Sequence, residues 1–86
     1  MGKYKITFTK SSVKELNGIP RKDTRRIWRR TSELAENPRP AGCEKISGRL
    51  LYRIRQGDYR IIYFIDDTNH IVDIIKVGHR REVYQL

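Results

Sequence analysis

The stretch LLYRIRQGDYRIIY, residues 50–63, constrains this chain most. Two runs of alternating apolar and polar residues flank Gly57-Asp58, and glycine supplies the positive φ that a two-residue hairpin turn requires. With that pair as the loop, Gln56 faces Tyr59, Arg55 faces Arg60 and Arg53 faces Ile62. Side chains alternate along a strand, so Arg53, Arg55 and Arg60 share one face of the hairpin. Leu50, Tyr52, Ile54, Ile61, Tyr63 and Ile65 form the opposite, apolar face. Like charges set directly opposite one another destabilise a sheet. Packing therefore gives no reason to place Arg55 against Arg60, whereas an anionic partner does.

The charge balance points the same way. Nineteen Lys and Arg, twelve of them Arg, stand against ten Asp and Glu, for a net charge of +9 in 86 residues. Such a balance favours a polyanionic partner: nucleic acid, an anionic membrane or an acidic protein. Arginine is the residue suited to bidentate phosphate contacts. The length implies one domain over residues 1–86, small enough to bury only about 60% of the surface its unfolded chain exposes. The longest apolar run is a few residues, so no membrane span is expected. The opening MGKYKITFTK has no apolar signal-peptide core, and the lone Cys43 has no internal disulfide partner. A cytoplasmic protein is the simplest expectation.

Taken in order, residues 4–8 alternate as a short strand. Thr9 or Ser11 can cap a brief helix with Val13 and Leu16 facing inward, and Asn17-Gly18 ends it. Ile19-Pro20 opens a second helix, in which Thr24, Ile27, Trp28, Thr31, Leu34 and Ala35 recur at helical spacing up to Asn37. Its other face carries Lys22, Arg25, Arg26, Arg29, Arg30, Glu33 and Glu36. By its spacing, Trp28 is expected in the core. Residues 38–42 form a connector, residues 44–46 lead into a Ser47-Gly48 turn, and the hairpin follows. After the 67–70 turn, the apolar run from Ile71 to Val77 reads as a strand inside the sheet. The expected fold is α+β, in the order β-α-α-β-β-β. Two N-terminal helices pack on one face of a mostly antiparallel four-stranded sheet, and the arginines occupy the other.

The chemistry-bearing residues form a basic and aromatic set: Arg53, Arg55, Arg60, His79, Arg80, Arg81 and Tyr84. No Cys/His spacing suits a metal, no glycine-rich loop suits a nucleotide, and no cofactor is expected. The set suits metal-free RNA cleavage, in which a ribose 2′-OH attacks the adjacent phosphate. Fixed guanidinium groups can stabilise the phosphorane. Arginine stays protonated and is a poor base, so proton transfer falls to His79 or Tyr84. The plainer readings stand beside these. Arg53 and Arg55 fit a solvated sheet face, the helix arginines fit a solvated helix face, and Tyr84 fits a residue framing the C-terminal tail.

FTKSSVKELNGIP, KISGRLLYRIRQGDYRIIY and VGHRREVY together resemble the RelE toxins of bacterial and archaeal toxin–antitoxin pairs, within the RelE/ParE superfamily. The resemblance covers essentially the whole chain. It implies a ribosome-dependent endoribonuclease that cuts messenger RNA in the ribosomal A site, leaving a 2′,3′-cyclic phosphate and a 5′-hydroxyl. It also implies a cognate RelB-like antitoxin, with the toxin monomeric inside a toxin–antitoxin hetero-oligomer and no membrane partner. By resemblance, Arg53 and Arg55 fall on a Lys-x-Lys pair, Arg60 on the phosphate-binding arginine and Arg80 on the transition-state arginine. Tyr84 falls on the C-terminal tyrosine, and His79 falls where members often carry Lys. The catalytic set expected is thus Arg55, Arg60, His79, Arg80 and Tyr84, with Arg53, Arg55, Arg60 and Arg81 binding RNA phosphate. Arginine in place of both lysines shifts the expected burden from acid–base chemistry towards electrostatic stabilisation. Two rival readings remain: a ParE-like inhibitor of DNA gyrase without nuclease activity, and a non-catalytic RNA-binding module.

Overall fold

The computed structural model describes residues 3–46 and 50–79. Its elements are β1 (Lys5–Phe8), α1 (Lys10–Asn17), α2 (Arg21–Glu33), β2 (Glu44–Lys45), β3 (Leu51–Gln56), β4 (Tyr59–Asp66) and β5 (Ile71–His79). The strands form one sheet in the order β1-β5-β4-β3-β2. The hairpin has the expected register, with Gln56 opposite Tyr59, Arg55 opposite Arg60 and Arg53 opposite Ile62. Gly57 takes the turn at φ 59°. β4 pairs antiparallel with β5, and β1 joins the far edge of β5 in parallel, from Lys5 with Ile71 to Phe8 with Ile74.

Among the described residues the sheet has five strands, one more than the four expected. β2 pairs antiparallel with β3, setting Glu44 opposite Arg53 and Lys45 opposite Tyr52. Two residues carry too little alternation to read as a strand from sequence alone.

Thr9 caps α1, accepting the Ser12 N–H at 3.1 Å on its hydroxyl. α1 buries Ser12 and Leu16, one turn apart. Val13 is 44% exposed, not inward-facing as expected, because the i, i+4 pair Ser12 and Leu16 takes the sheet side. α2 buries Ile27 and Thr31. It ends at Glu33 and not at Asn37, because Leu34, Ala35 and Glu36 donate backward over three residues, which tightens the last turn. Trp28 is 49% exposed instead of buried; it sits at the rim, its ring 4.8 Å from that of Phe8.

Both helices cover one sheet face. Leu16, Ile27 and Leu34 pack with Ile54, Ile61, Tyr63, Ile65, Val72, Ile74 and Val77 in one apolar cluster. Leu50, expected on this face, precedes β3 and is 68% exposed.

The connector after α2 is tied down by side chains. The buried Tyr63 hydroxyl donates to the Pro38 carbonyl at 2.7 Å, and burial pushes its pKa up, so it stays a neutral donor. Arg39 holds Asp67 in the β4–β5 turn through Nη2 at 2.8 Å and Nη1 at 3.3 Å, and its guanidinium lies over the Tyr52 ring. Hydrogen bonds from Arg39 and then Tyr4 hold the Asp67 carboxyl down at about 2. A depressed folded pKa stabilises above the unfolded value of roughly 3.9. That contribution is lost as pH falls through about 2. The expected result is that Asp67→Asn flattens the acid limb of unfolding stability between about pH 4 and pH 2. Denaturant titrations across that window check it, and an unchanged limb would contradict the clamp.

Candidate functional site

Strand alternation puts Arg53, Arg55, Arg60 and Ile62 on the sheet face away from the helices. The three arginines differ sharply there. Arg55 is exposed at the hairpin's end. Arg53 gives Nη2 to Glu44 Oε1 at 3.1 Å and Nε to the same oxygen at 3.3 Å. Its charge is therefore already partly matched by the strand that sequence reading missed. A glutamate three residues before the expected Ser47-Gly48 turn, with a hairpin arginine beyond it, was the available signal.

Arg60 is only 6% exposed. Its Nη1 donates to the Gly57 carbonyl at 3.3 Å and to the Tyr59 carbonyl at 3.1 Å. Its Nε is buried and has no hydrogen-bond partner among the described residues. Nor does any carboxylate pair with Arg60 among the described residues. Carbonyls satisfy N–H groups but do not neutralise a charge, and an uncompensated buried charge costs on the order of several kcal/mol. A phosphate oxygen would supply both the missing acceptor and the missing negative charge, and because Nε is buried it reaches that edge only when the guanidinium turns outward. Ile62, 1% exposed, lies two residues on along the same face and makes an apolar floor. Gly78, in register with Arg60 on β5, adds no side chain beside it.

His79 is not brought to this face. It lies in register with Tyr59, and the two rings meet edge-on at 6.0 Å. Tyr59 faces the helix side, where its hydroxyl donates to Asp23 at 3.4 Å. His79 therefore lines a cleft with Lys14, Glu15, Ile19, Tyr59 and Val77, behind the arginine face. The cause is a bulge. Ile62 pairs with Lys76 but Tyr63 pairs with Ile74, so Ile75 is an extra residue and everything after it changes face. Arg80, Arg81 and Tyr84 lie outside the described residues.

α2 presents a second basic surface. Arg21, Lys22, Arg25, Arg26 and Arg29 are exposed and line one groove, and none is in an ion pair among the described residues. Arg26 also lines a smaller groove with Gln56, Gly57, Asp58 and Tyr59, so the basic helix face continues to the hairpin turn that Arg60 grips. Among the described residues, no group of three His, Cys, Asp or Glu is placed to hold a metal ion, and no helix is long and apolar enough to cross a membrane.

The fold and its basic face define a class. The family model of the ParE toxin of the type II toxin–antitoxin system matches residues 6–84. The Toxin RelE of Mycobacterium tuberculosis is 30% identical over 96% of this chain and 88% of its own length. The RelBE2 toxin–antitoxin complex of the same organism contains a chain superposing with a TM-score of 0.81 at 25% identity, covering 91% of this chain and 99% of that one. The archaeal RelE–RelB complex of Pyrococcus horikoshii gives 0.78 at 31% identity, covering 91% and 96%. This chain belongs to the ParE toxin family and is a type II toxin–antitoxin toxin of the RelE/ParE superfamily.

Proposed function

We propose that this toxin is a ribosome-dependent endoribonuclease that cuts messenger RNA in the A site and so stops translation. The observation that carries this reading is the buried Arg60, whose Nε has no hydrogen-bond partner among the described residues, with exposed Arg55 directly across the strand pair.

In the proposed reaction the 2′-OH attacks the adjacent phosphorus, the new P–O2′ bond forms and the P–O5′ bond breaks. The products are a 2′,3′-cyclic phosphate and a 5′-hydroxyl. Arg60 holds a non-bridging oxygen and gains most when that oxygen acquires charge in the phosphorane. Arg55 adds a second cation from the solvent side, and Arg80, which follows His79 in sequence, serves as transition-state arginine. Arg53 and Arg81 contact flanking phosphates, Arg53 by exchanging Glu44 for RNA. Proton transfer to and from the ribose oxygens falls to Tyr84, or to His79 once it turns to the arginine face. Since His79 starts behind the arginine face, positioning and charge stabilisation carry the larger share.

The basic face of α2 supplies a second contact to RNA, strengthened by counterion release. The partner that silences the toxin is a RelB-like antitoxin, a reading supported by relatives whose structures are RelE–RelB complexes. In that assembly the toxin is a monomer within a hetero-oligomer, and it acts in the cytoplasm on translating ribosomes. The match to the ParE family model favours a second reading, inhibition of DNA gyrase. Incubating the chain with programmed ribosomes, and separately with gyrase and relaxed plasmid, separates the two. Cutting that needs ribosomes supports the first, and loss of supercoiling with an intact messenger supports the second.

A further inference from the structure

β5 is nine residues long, but β1 accompanies it only as far as Ile74. There the chain leaves the sheet at Thr9 and enters α1. From Ile75 onward the outer edge of β5 has no strand beside it among the described residues. This is also where the bulge weakens the ladder to β4 and where the strand carries Gly78 past Arg60. An unpaired edge next to a bulge is a place where register slips.

Thr9 at the N-cap of α1 and Glu15 in its last turn bond this edge where no strand lies beside it among the described residues. Thr9 takes the bulge from below. Its N–H donates to the Ile74 carbonyl at 3.1 Å, and its hydroxyl lies 3.3 Å from that carbonyl and 3.2 Å from the Ile75 carbonyl. Glu15 takes the next residues. One carboxylate oxygen accepts the Val77 backbone N–H at 3.0 Å, as a neighbouring strand's carbonyl would. The other accepts from Lys76 Nζ at 2.9 Å. Val77 is 1% exposed, and its amide would otherwise be a buried edge donor without an acceptor.

We propose that Glu15 is a positioning residue. Its carboxylate locks Val77 onto the edge of α1, and thereby fixes Gly78 and His79 in register with Arg60 and Tyr59. The proposal deepens the cleaving reading and rests on it for the activity it serves. Glu15 itself is on the helix side of the sheet and does not reach the arginine face, so it acts through the backbone of β5.

The test compares Glu15→Ala and Glu15→Gln in the full chain. Glutamine keeps an oxygen for the Val77 N–H and gives up only the charge on Lys76. Amide hydrogen exchange at Val77 is expected to accelerate about tenfold or more in the alanine variant, as loss of a hydrogen bond to a charged group implies, and to stay near native in the glutamine variant. Exchange at Ile61 and Val72, in the core, stays native in both. On programmed ribosomes the alanine variant is expected to lose about tenfold in kcat with KM for the ribosome within roughly twofold, and glutamine to restore most of it. Native exchange at Val77 in the alanine variant overturns the proposal, as does equal loss in both variants with a collapsed melting curve. If the native chain leaves the messenger intact, the cleaving reading falls, and the exchange comparison alone still decides whether Glu15 holds the register.

Discussion

Arg60→Ala is expected to cut messenger cleavage by about 10²- to 10³-fold, the loss found when one preorganised donor to a developing oxyanion is removed. The size follows from where the guanidinium sits. At 6% exposure, and without a carboxylate partner among the described residues, its field is little screened by water. Arg60→Lys should recover little, because an ammonium group cannot bond the Gly57 and Tyr59 carbonyls and a phosphate edge from one planar fork. Stability should move the other way. Taking out a buried charge that has no carboxylate partner among the described residues leaves the melting temperature unchanged or higher. Initial cleavage rates and a thermal melt on the same preparations check both halves. Cleavage within twofold of native, or a large drop in melting temperature, would make Arg60 a structural residue.

Replacing Arg21, Arg25 and Arg29 together with glutamine is expected to weaken RNA binding with a distinctive salt signature. The three follow one another at i, i+4 spacing, a rise of about 6 Å each along the helix, so a single polynucleotide backbone can pass over all of them. Each phosphate contact contributes roughly 0.7–0.9 to the slope of log affinity against log salt. The triple variant should therefore flatten that slope by about two to three while leaving helix content unchanged, since glutamine is as good a helix former as arginine. Titration of a labelled RNA stem-loop, and of ribosomes, across a salt series measures it. An unchanged slope would return the α2 face to ordinary solvated charge.

The hairpin is the part of the molecule that sequence described best, and the reason is locality. A glycine turn and a period of two fix register within fourteen residues, so the pairing of Arg55 with Arg60 is readable without knowing anything else. What escaped depends on partners far along the chain or on single-residue irregularities. The parallel join of β1 to β5 links residues more than sixty apart and leaves no mark on either strand's pattern. β2 is too short to have a period, and with it went the knowledge that Glu44 already occupies Arg53. The bulge at Ile75 sits inside an apolar run in which either face is acceptable, so nothing in IVDIIKV announces that His79 will turn to the helix side. Trp28 shows the same limit in a helix: spacing identifies the apolar stripe, but which edge of it reaches the rim is set by the angle of α2 on the sheet. The burial of Arg60 could not be read either. Its face was correct from alternation alone, but its depth comes from the hairpin turn folding its carbonyls over the guanidinium.

Ribosome-dependent cleavage is tested most directly by mapping the ends of a defined messenger held on stalled ribosomes with a known codon in the A site. The purified chain should produce a cut within that codon, a 2′,3′-cyclic phosphate on the upstream fragment and a 5′-hydroxyl on the downstream one, with no cut when ribosomes are omitted. An intact messenger at protein concentrations that saturate the ribosome, or cutting of free RNA at the same rate, would contradict it.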